Sequence, residues 1–117
     1  MNKDKTELLL ANVVQSIENK KGDDIVSIDF SQTPNSVAKY FVICSANSKA
    51  QVDAIVDEIK INAKKLLNEN AIHTEGLDNK EWVLIDYFDV VVHVFQPSSR
   101  QYYQIEKLWA DVPQKQH

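Results

Sequence analysis

The segment 81–109 constrains the fold of this chain more than any other. It contains two apolar runs, WVLIDY and VVVHVF, which are separated by a short turn and followed by a helical pattern. Runs rich in β-branched and aromatic residues predict two strands, which we expect to pair as an antiparallel hairpin. Because side chains alternate along a strand, the first run has two faces: Trp82, Leu84 and Asp86 on one, and Val83, Ile85 and Tyr87 on the other. An apolar face that ends in a carboxylate needs a basic partner, a capping role for the acid, or a surface that something else covers.

The rest of the chain alternates between helical and strand patterns. Apolar residues recur at helical spacing from Thr6, and we expect Gly22 to end that first helix. The longest helix follows a cap at Asn47 or Ser48, and Pro97 opens a last helix with Tyr102, Ile105, Leu108 and Trp109 on one face. Further strands are predicted over Asp24–Phe30, Tyr40–Cys44 and Ile72–Glu75. These elements predict an α/β fold with a mixed central sheet of about five strands and about three helices, in one domain over 1–112 with a frayed tail over 113–117.

Composition limits the class of protein. A chain of 117 residues of which 44% are hydrophobic can bury one core. The single cysteine, Cys44, excludes an internal disulfide and a multi-cysteine metal site, and its apolar neighbours predict core packing. The net charge of -4 argues against binding nucleic acid mainly through its phosphates, so that such contact is at most incidental, and suits a basic protein partner. Without an apolar run of about 18 residues or a hydrophobic signal core, we expect a soluble cytoplasmic protein that contacts no membrane.

Two acids near the hairpin turn are candidates for a metal site, but their spacing argues against one. Asp86 and Asp89 could hold a divalent cation for nucleotidyl transfer, with the polar turn 45–48 as a phosphate loop before a helix. Their odd spacing across a turn makes the two carboxylates diverge, and the polar turn has neither glycine nor a GK[ST] signature. A turn-forming, partner-facing role for the acids is therefore favoured, and no metal or cofactor is predicted.

The histidines and the single arginine of the last helix also have simpler roles than catalysis. For both His73 and His93 we favour a core position, and we expect burial among valines to depress the pKa of His93. Arg100 beside Tyr102 and Tyr103 could stack on bases, but an ion pair with Glu106 or with an acid on the sheet, next to core tyrosines, is the favoured interpretation. No residue set for catalysis is predicted.

Several of these motifs occur together in a known family. The pattern YFVICSANS, then EG at Glu75, then WVLIDYFDVVVHVF, then R-x-Y-Y-x-x-E-x-L-W ending at Asp111 resembles the Iojap family, the bacterial ribosomal silencing factors. The resemblance covers nearly the whole chain. Two positions depart from it, because members of the family usually carry glycine in place of Ala46 and of Phe88. A glycine position often requires a positive φ, so Phe88 is expected to alter the geometry of the turn beside Asp89.

The resemblance implies a fold shaped like the nucleotidyltransferases but without their catalytic residues, and hence a binding protein that is not an enzyme. Similar proteins bind ribosomal protein fourteen of the large ribosomal subunit, block joining of the small subunit and repress translation when nutrients run short. They often form homodimers when free. We assign partner binding to the strand that begins at Trp82 and to its surroundings: Glu75, Trp82, Leu84, Asp86, Tyr87 and Asp89.

Two other functions remain open from the sequence. One is a nucleotide-binding or nucleotidyl-transferring enzyme that uses the turn 45–48 for phosphate and Asp86 with Asp89 for a metal. The other is a homodimeric module whose partner is not the ribosome.

Overall fold

Six strands and four helices make up the part of the chain that the computed structural model describes, which is residues 2–117, with side chains described from Lys5 onward. The helices are α1 (Asn2–Asn19), α2 (Lys49–Leu67), α3 (Pro97–Tyr103) and α4 (Ile105–Leu108). The strands are β1 (Asp23–Asp29), β2 (Tyr40–Ser45), β3 (His73–Glu75), β4 (Trp82–Asp86), β5 (Val90–Phe95) and β6 (Gln114–Gln116). They form one sheet in the order β3-β4-β5-β2-β1-β6, in which β2 and β5 are parallel and the other neighbours antiparallel. The predicted mixed α/β sheet is confirmed.

The two faces of the sheet are covered differently. Helices α1 and α2 pack on one face over a core that includes Val42, Val83, Ile85 and Val92. On the other face, Ile105 and Val112 from the segment after β5 cover Ile28, Phe30, Ile43 and Phe95. These covered residues belong to β1, β2, β5 and the residue after β1. On this second face Tyr103 of α3 packs against Trp82 at the start of β4, and among the described residues the buried cluster does not extend over β3 or the rest of β4.

Local sequence explains how the longest helix begins and ends. The Ser48 hydroxyl accepts a hydrogen bond of 3.0 Å from the Gln51 amide, which satisfies one of the donors that a helix start leaves unpaired. At the other end, Asn68 takes the left-handed conformation (φ 54) and its amide returns to carbonyls of the last turn. The serine cap that the sequence predicted is thus confirmed.

The end of α1 differs in detail from its prediction. The left-handed residue is Lys21 (φ 62), and Gly22 follows it as the residue whose amide donates to the Ile17 carbonyl. A Cβ at Gly22 would lie 2.4 Å from Cγ2 of Ile17. Glycine is therefore needed here for close packing against Ile17 and not for a positive φ.

The C-terminal residues correct the prediction of a frayed tail over 113–117. Gln114–Gln116 form β6, which pairs with β1, and the His117 amide donates to the Ile25 carbonyl. The Gln114 side chain also donates to the backbone carbonyls of Glu106 and Trp109, at 2.9 and 3.0 Å. The local sequence is polar and a weak strand former, but β1 offers an unpaired edge that the tail can complete.

The last helix is also shorter than predicted. Gln104 adopts a left-handed conformation (φ 46) and separates α3 from α4. The break removes the single amphipathic face that the spacing predicted, since Ile105 is buried whereas Tyr102 and Leu108 are exposed.

Candidate partner-binding face

The uncovered part of the second sheet face, which we call the open face, consists of the outward side chains of β3 and of β4 beyond Trp82. Directly paired residues on neighbouring strands share a face, and the register pairs Glu75 with Leu84 and His73 with Asp86. The row continues inward, because Leu84 pairs with His93 on β5. Leu84 and Asp86 are half-buried, while His73 and Glu75 are exposed. The open face thus joins an apolar side chain with two carboxylates.

An imidazole lies between the two carboxylates of the open face. Nε2 of His73 is 2.8 Å from Oε2 of Glu75, and its Nδ1 is 3.8 Å from Oδ2 of Asp86. The core position that the sequence favoured for His73 is therefore wrong, because the side chain is exposed at the sheet edge. Asp86 also accepts a hydrogen bond of 2.7 Å from the Phe88 amide through Oδ1. Asp86 both caps the turn and contributes negative charge to the open face.

Trp82 borders the open face and is held in place on several sides. Its indole ring lies 4.9 Å from that of Phe95, nearly parallel to it, and 4.8 Å from that of Tyr103. The indole Nε1 donates a hydrogen bond of 3.1 Å to Nδ1 of His93. Trp82 is half-buried, so most of its contacts are with neighbouring side chains of the fold and only part of the ring is exposed to solvent.

His93 occupies the core position that the sequence predicted. Burial lowers the pKa of His93 from its ordinary value of 6.5 to about 4, which confirms the expected direction. Nδ1 of His93 accepts the hydrogen bond from the indole N–H of Trp82, so Nδ1 carries no proton. The proton of the neutral imidazole ring is therefore on Nε2. That Nε2 is buried and has no hydrogen-bond partner among the described residues. His93 is a neutral structural support for Trp82.

Two of the predicted partner residues lie on the helix side of the sheet. Tyr87 is 6% exposed and packs in the core beneath α1 and α2. Burial, with a smaller effect of the Glu69 charge, raises the pKa of Tyr87 to about 12. Asp89 turns toward α1, where its Oδ2 accepts a hydrogen bond of 3.1 Å from the Thr6 hydroxyl. The structure therefore brings together Glu75, Trp82, Leu84 and Asp86, and separates Tyr87 and Asp89 from them.

The turn between β4 and β5 has the geometry that favours glycine. Phe88 has φ 74, and the Asp89 amide donates to the Tyr87 carbonyl two residues earlier. A turn closed over one residue of positive φ is strained for a side chain with a Cβ. The Phe88 ring is 68% exposed, so burial of the ring offsets little of that strain.

The polar turn after β2 and the arginine of α3 form a structural network. Arg100 donates to Oε2 of Glu106 through Nε and Nη2, at 3.1 and 2.9 Å, and to the Ser45 hydroxyl through Nη1 at 2.8 Å. The predicted ion pair with Glu106 is confirmed. Asn47 donates to the Asp23 carboxylate and Ser48 caps α2, so these side chains have partners within the fold.

The two acids considered for a metal site lie apart in the structure. Asp86 and Asp89 point to opposite sides of the sheet, and no group of three or more His, Cys, Asp or Glu residues in that part of the chain could hold a metal ion. Cys44 is fully buried, which raises the pKa of its thiol to about 12 and confirms core packing. No helix among the described residues has the length and apolar character needed to cross a bilayer.

Sequence reasoning missed the exposed aromatic side chains of α3. Tyr102 and Tyr103, assigned to the core from their spacing, are 80% and 48% exposed. Leu108 on α4 is 70% exposed. The left-handed Gln104 ends α3 directly after these tyrosines, and no local signal in the sequence predicts that break.

Fold and surface together define a small α/β domain whose mixed sheet carries Leu84 beside the carboxylates of Glu75 and Asp86 on one face. A family model described as "Ribosomal silencing factor during starvation" matches residues 3–117. The chain is 44% identical over 108 residues to the ribosomal silencing factor RsfS of Bacillus subtilis, covering 90% of this chain and 87% of the relative. The chain belongs to the family of ribosomal silencing factors. This name describes a regulatory factor and not an enzyme, as the sequence predicted.

Solved structures agree with this assignment. A crystal structure from Bacillus halodurans is 38% identical, with a TM-score of 0.80 over 93% of this chain and 97% of that one. Another, from Chromobacterium violaceum, is 33% identical, with a TM-score of 0.83 over 89% of this chain and 85% of the other.

Proposed function

We propose that this protein binds the large ribosomal subunit through ribosomal protein fourteen, prevents the small subunit from joining, and so represses translation when nutrients are limited. Membership of the ribosomal silencing factors supports an association with the ribosome. The observation that carries the proposal further is the open face, where Leu84 lies beside the carboxylates of Glu75 and Asp86, outside the buried cluster that the described residues form on that side of the sheet.

The chemistry of the open face fits a basic protein surface. Lys and Arg side chains of a partner can pair with Glu75 and Asp86 while Leu84 packs on apolar atoms between them. His73 lies between the two carboxylates, 2.8 Å from Glu75 and 3.8 Å from Asp86, at the edge of the sheet. The net charge of -4 favours the encounter with a basic ribosomal protein. Steric exclusion needs only occupancy of the subunit, without turnover or a cofactor.

We also propose that the free protein forms a homodimer in the cytoplasm, where ribosomes are found. In the free protein the open face exposes apolar surface, which a second copy of the chain can cover. If the open face serves both contacts, the dimer and the ribosome compete. A size measurement across dilution, with and without large subunits, tests this, and a dimer that persists on the subunit would contradict it.

Sedimentation of the purified protein with isolated large subunits tests the proposed binding. We compare the wild type with the double variant Glu75→Gln, Asp86→Asn, which removes both charges and leaves the shapes unchanged. Asparagine at Asp86 keeps the oxygen that accepts the Phe88 amide, so the turn is preserved. The expected result is binding at least about tenfold weaker, because two charge contacts to the partner are lost. In a light-scattering assay of subunit joining, the wild type slows joining and the double variant does so less.

Asp57→Asn is the matched control. Asp57 is exposed on α2, on the opposite side of the molecule, so its neutralisation should leave binding unchanged. Circular dichroism of each variant checks that the fold is intact. If the double variant binds large subunits as tightly as the wild type, the open face is not part of the interface. If the wild type binds but does not slow subunit joining, the silencing mechanism is refuted.

A further inference from the structure

An exposed aromatic pair continues from Trp82 onto α3. The ring of Tyr103 lies 4.8 Å from that of Trp82, and the ring of Tyr102 lies 5.0 Å from that of Tyr103 at nearly a right angle. Tyr102 is 80% and Tyr103 48% exposed. The series of rings begins in the core at Phe95 and ends in solvent at Tyr102.

The fold does not require Tyr102 to be aromatic. Helix α3 is fixed to the sheet by Arg100, whose guanidinium binds both Glu106 and Ser45. Helix α4 is anchored by Ile105, which is 8% exposed. The only ring contact of Tyr102 among the described residues is with Tyr103. An aromatic ring that the fold leaves in water is suited to a contact with another molecule, and tyrosine is enriched in such contacts.

Trp82 acts here as a positioning residue. Phe95 and Tyr103 flank its ring and His93 holds its indole nitrogen, which fixes the orientation of the indole. A fixed indole in turn limits the orientations of the Tyr103 ring beside it. Rigid aromatic side chains lose little conformational entropy on binding, so this arrangement favours affinity.

We propose that Tyr102 and Tyr103 form the aromatic part of the partner-binding surface and occupy an apolar site on the same basic ribosomal protein that the open face contacts. This inference rests on the proposed function. Two observations select this occupant. The pair is continuous through Trp82 with the strand that carries the open face, and the carboxylates of Glu75 and Asp86 on that face favour a partner with Lys or Arg around its apolar site.

Quantitative co-sedimentation with purified large subunits tests the inference, with the dissociation constant read from the bound fraction. Tyr102→Ala and Tyr103→Ala should each weaken binding by about tenfold or more, the effect typical of a truncated aromatic anchor. Tyr102→Phe keeps the ring, so it should bind within about threefold of the wild type. Because Tyr102 contributes so little to the fold, Tyr102→Ala should leave the unfolding transition unchanged.

Ile61→Ala provides the matched control. Ile61 is 59% exposed on α2, away from the open face, and its truncation should not alter the affinity. Normal binding of both alanine variants, while Glu75→Gln, Asp86→Asn binds weakly, would refute the role of the tyrosines and leave the proposed function intact. A wild type that does not sediment with large subunits would overturn both. If Tyr102→Ala instead converts a dimer to a monomer in sedimentation velocity and binds subunits normally, the pair contacts a second copy and the inference is wrong.

Discussion

Acidification should destabilise this protein through His93, and the size of the effect follows from its burial. The pKa of His93 is lowered from 6.5 to about 4 in the folded protein, because burial disfavours the charged ring. In the unfolded chain His93 is protonated below about pH 6.5, whereas in the folded protein it is protonated only below about pH 4. The stability is fully present above that range and is lost as the pH falls through it.

The expected magnitude is about 2 kcal/mol of unfolding free energy lost by about pH 5, and about 3 kcal/mol by about pH 4, since one unit of pKa difference corresponds to about 1.4 kcal/mol. Urea unfolding followed by circular dichroism at about pH 8 and about pH 5 measures this loss. His93→Asn is the matched variant, because its Oδ1 replaces Nδ1 as an acceptor for Trp82 and does not titrate.

The wild type should lose about 2 kcal/mol more than His93→Asn between the two pH values, whatever the absolute stabilities are. His73 and His117 are present in both proteins, so their contributions cancel. An equal pH dependence of the two proteins would show that the folded protein accepts a proton at His93, and the assignment of a neutral, buried support for Trp82 would be refuted.

Three further changes test other parts of the fold. Phe88→Gly should be more stable than Phe88→Ala by about 1 kcal/mol in urea unfolding, because glycine accepts φ 74 without strain; equal stabilities would contradict the strained turn. Arg100→Lys should lower the unfolding free energy by about 1–3 kcal/mol, since an ammonium cannot reproduce the fork that binds Glu106 and Ser45. Gly76→Ala should cost at least about 2 kcal/mol and weaken subunit binding, because the added Cβ would lie 2.0 Å from the Trp82 carbonyl oxygen at φ +91; a thermal unfolding midpoint equal to that of the wild type would disprove the close approach.

Sequence alone predicted the parts of this protein that depend on short-range patterns. Alternation along β4 separated Val83 and Ile85 from Leu84 and Asp86, and the structure covers the first pair with helices. A hydroxyl at Ser48 predicted the cap of α2, and the valines around His93 predicted its depressed pKa. These properties follow from periodicity, capping and burial, which are encoded by neighbouring residues.

The parts that sequence did not predict depend on contacts between distant segments. The polar tail became β6 because β1 offered an edge, which no local propensity reveals. The same holds for the break at Gln104 and for the exposure of Tyr102 and Tyr103.

The candidate binding face also depends partly on local sequence and partly on tertiary structure. Sequence identified the residue types, an apolar and acidic strand that something else should cover. Tertiary structure decided which of them share a surface, because strand register places Glu75 beside Leu84 and the turn at Phe88 sends Asp89 toward α1. Register and turn geometry are properties of paired strands, so they exist only once the sheet has formed.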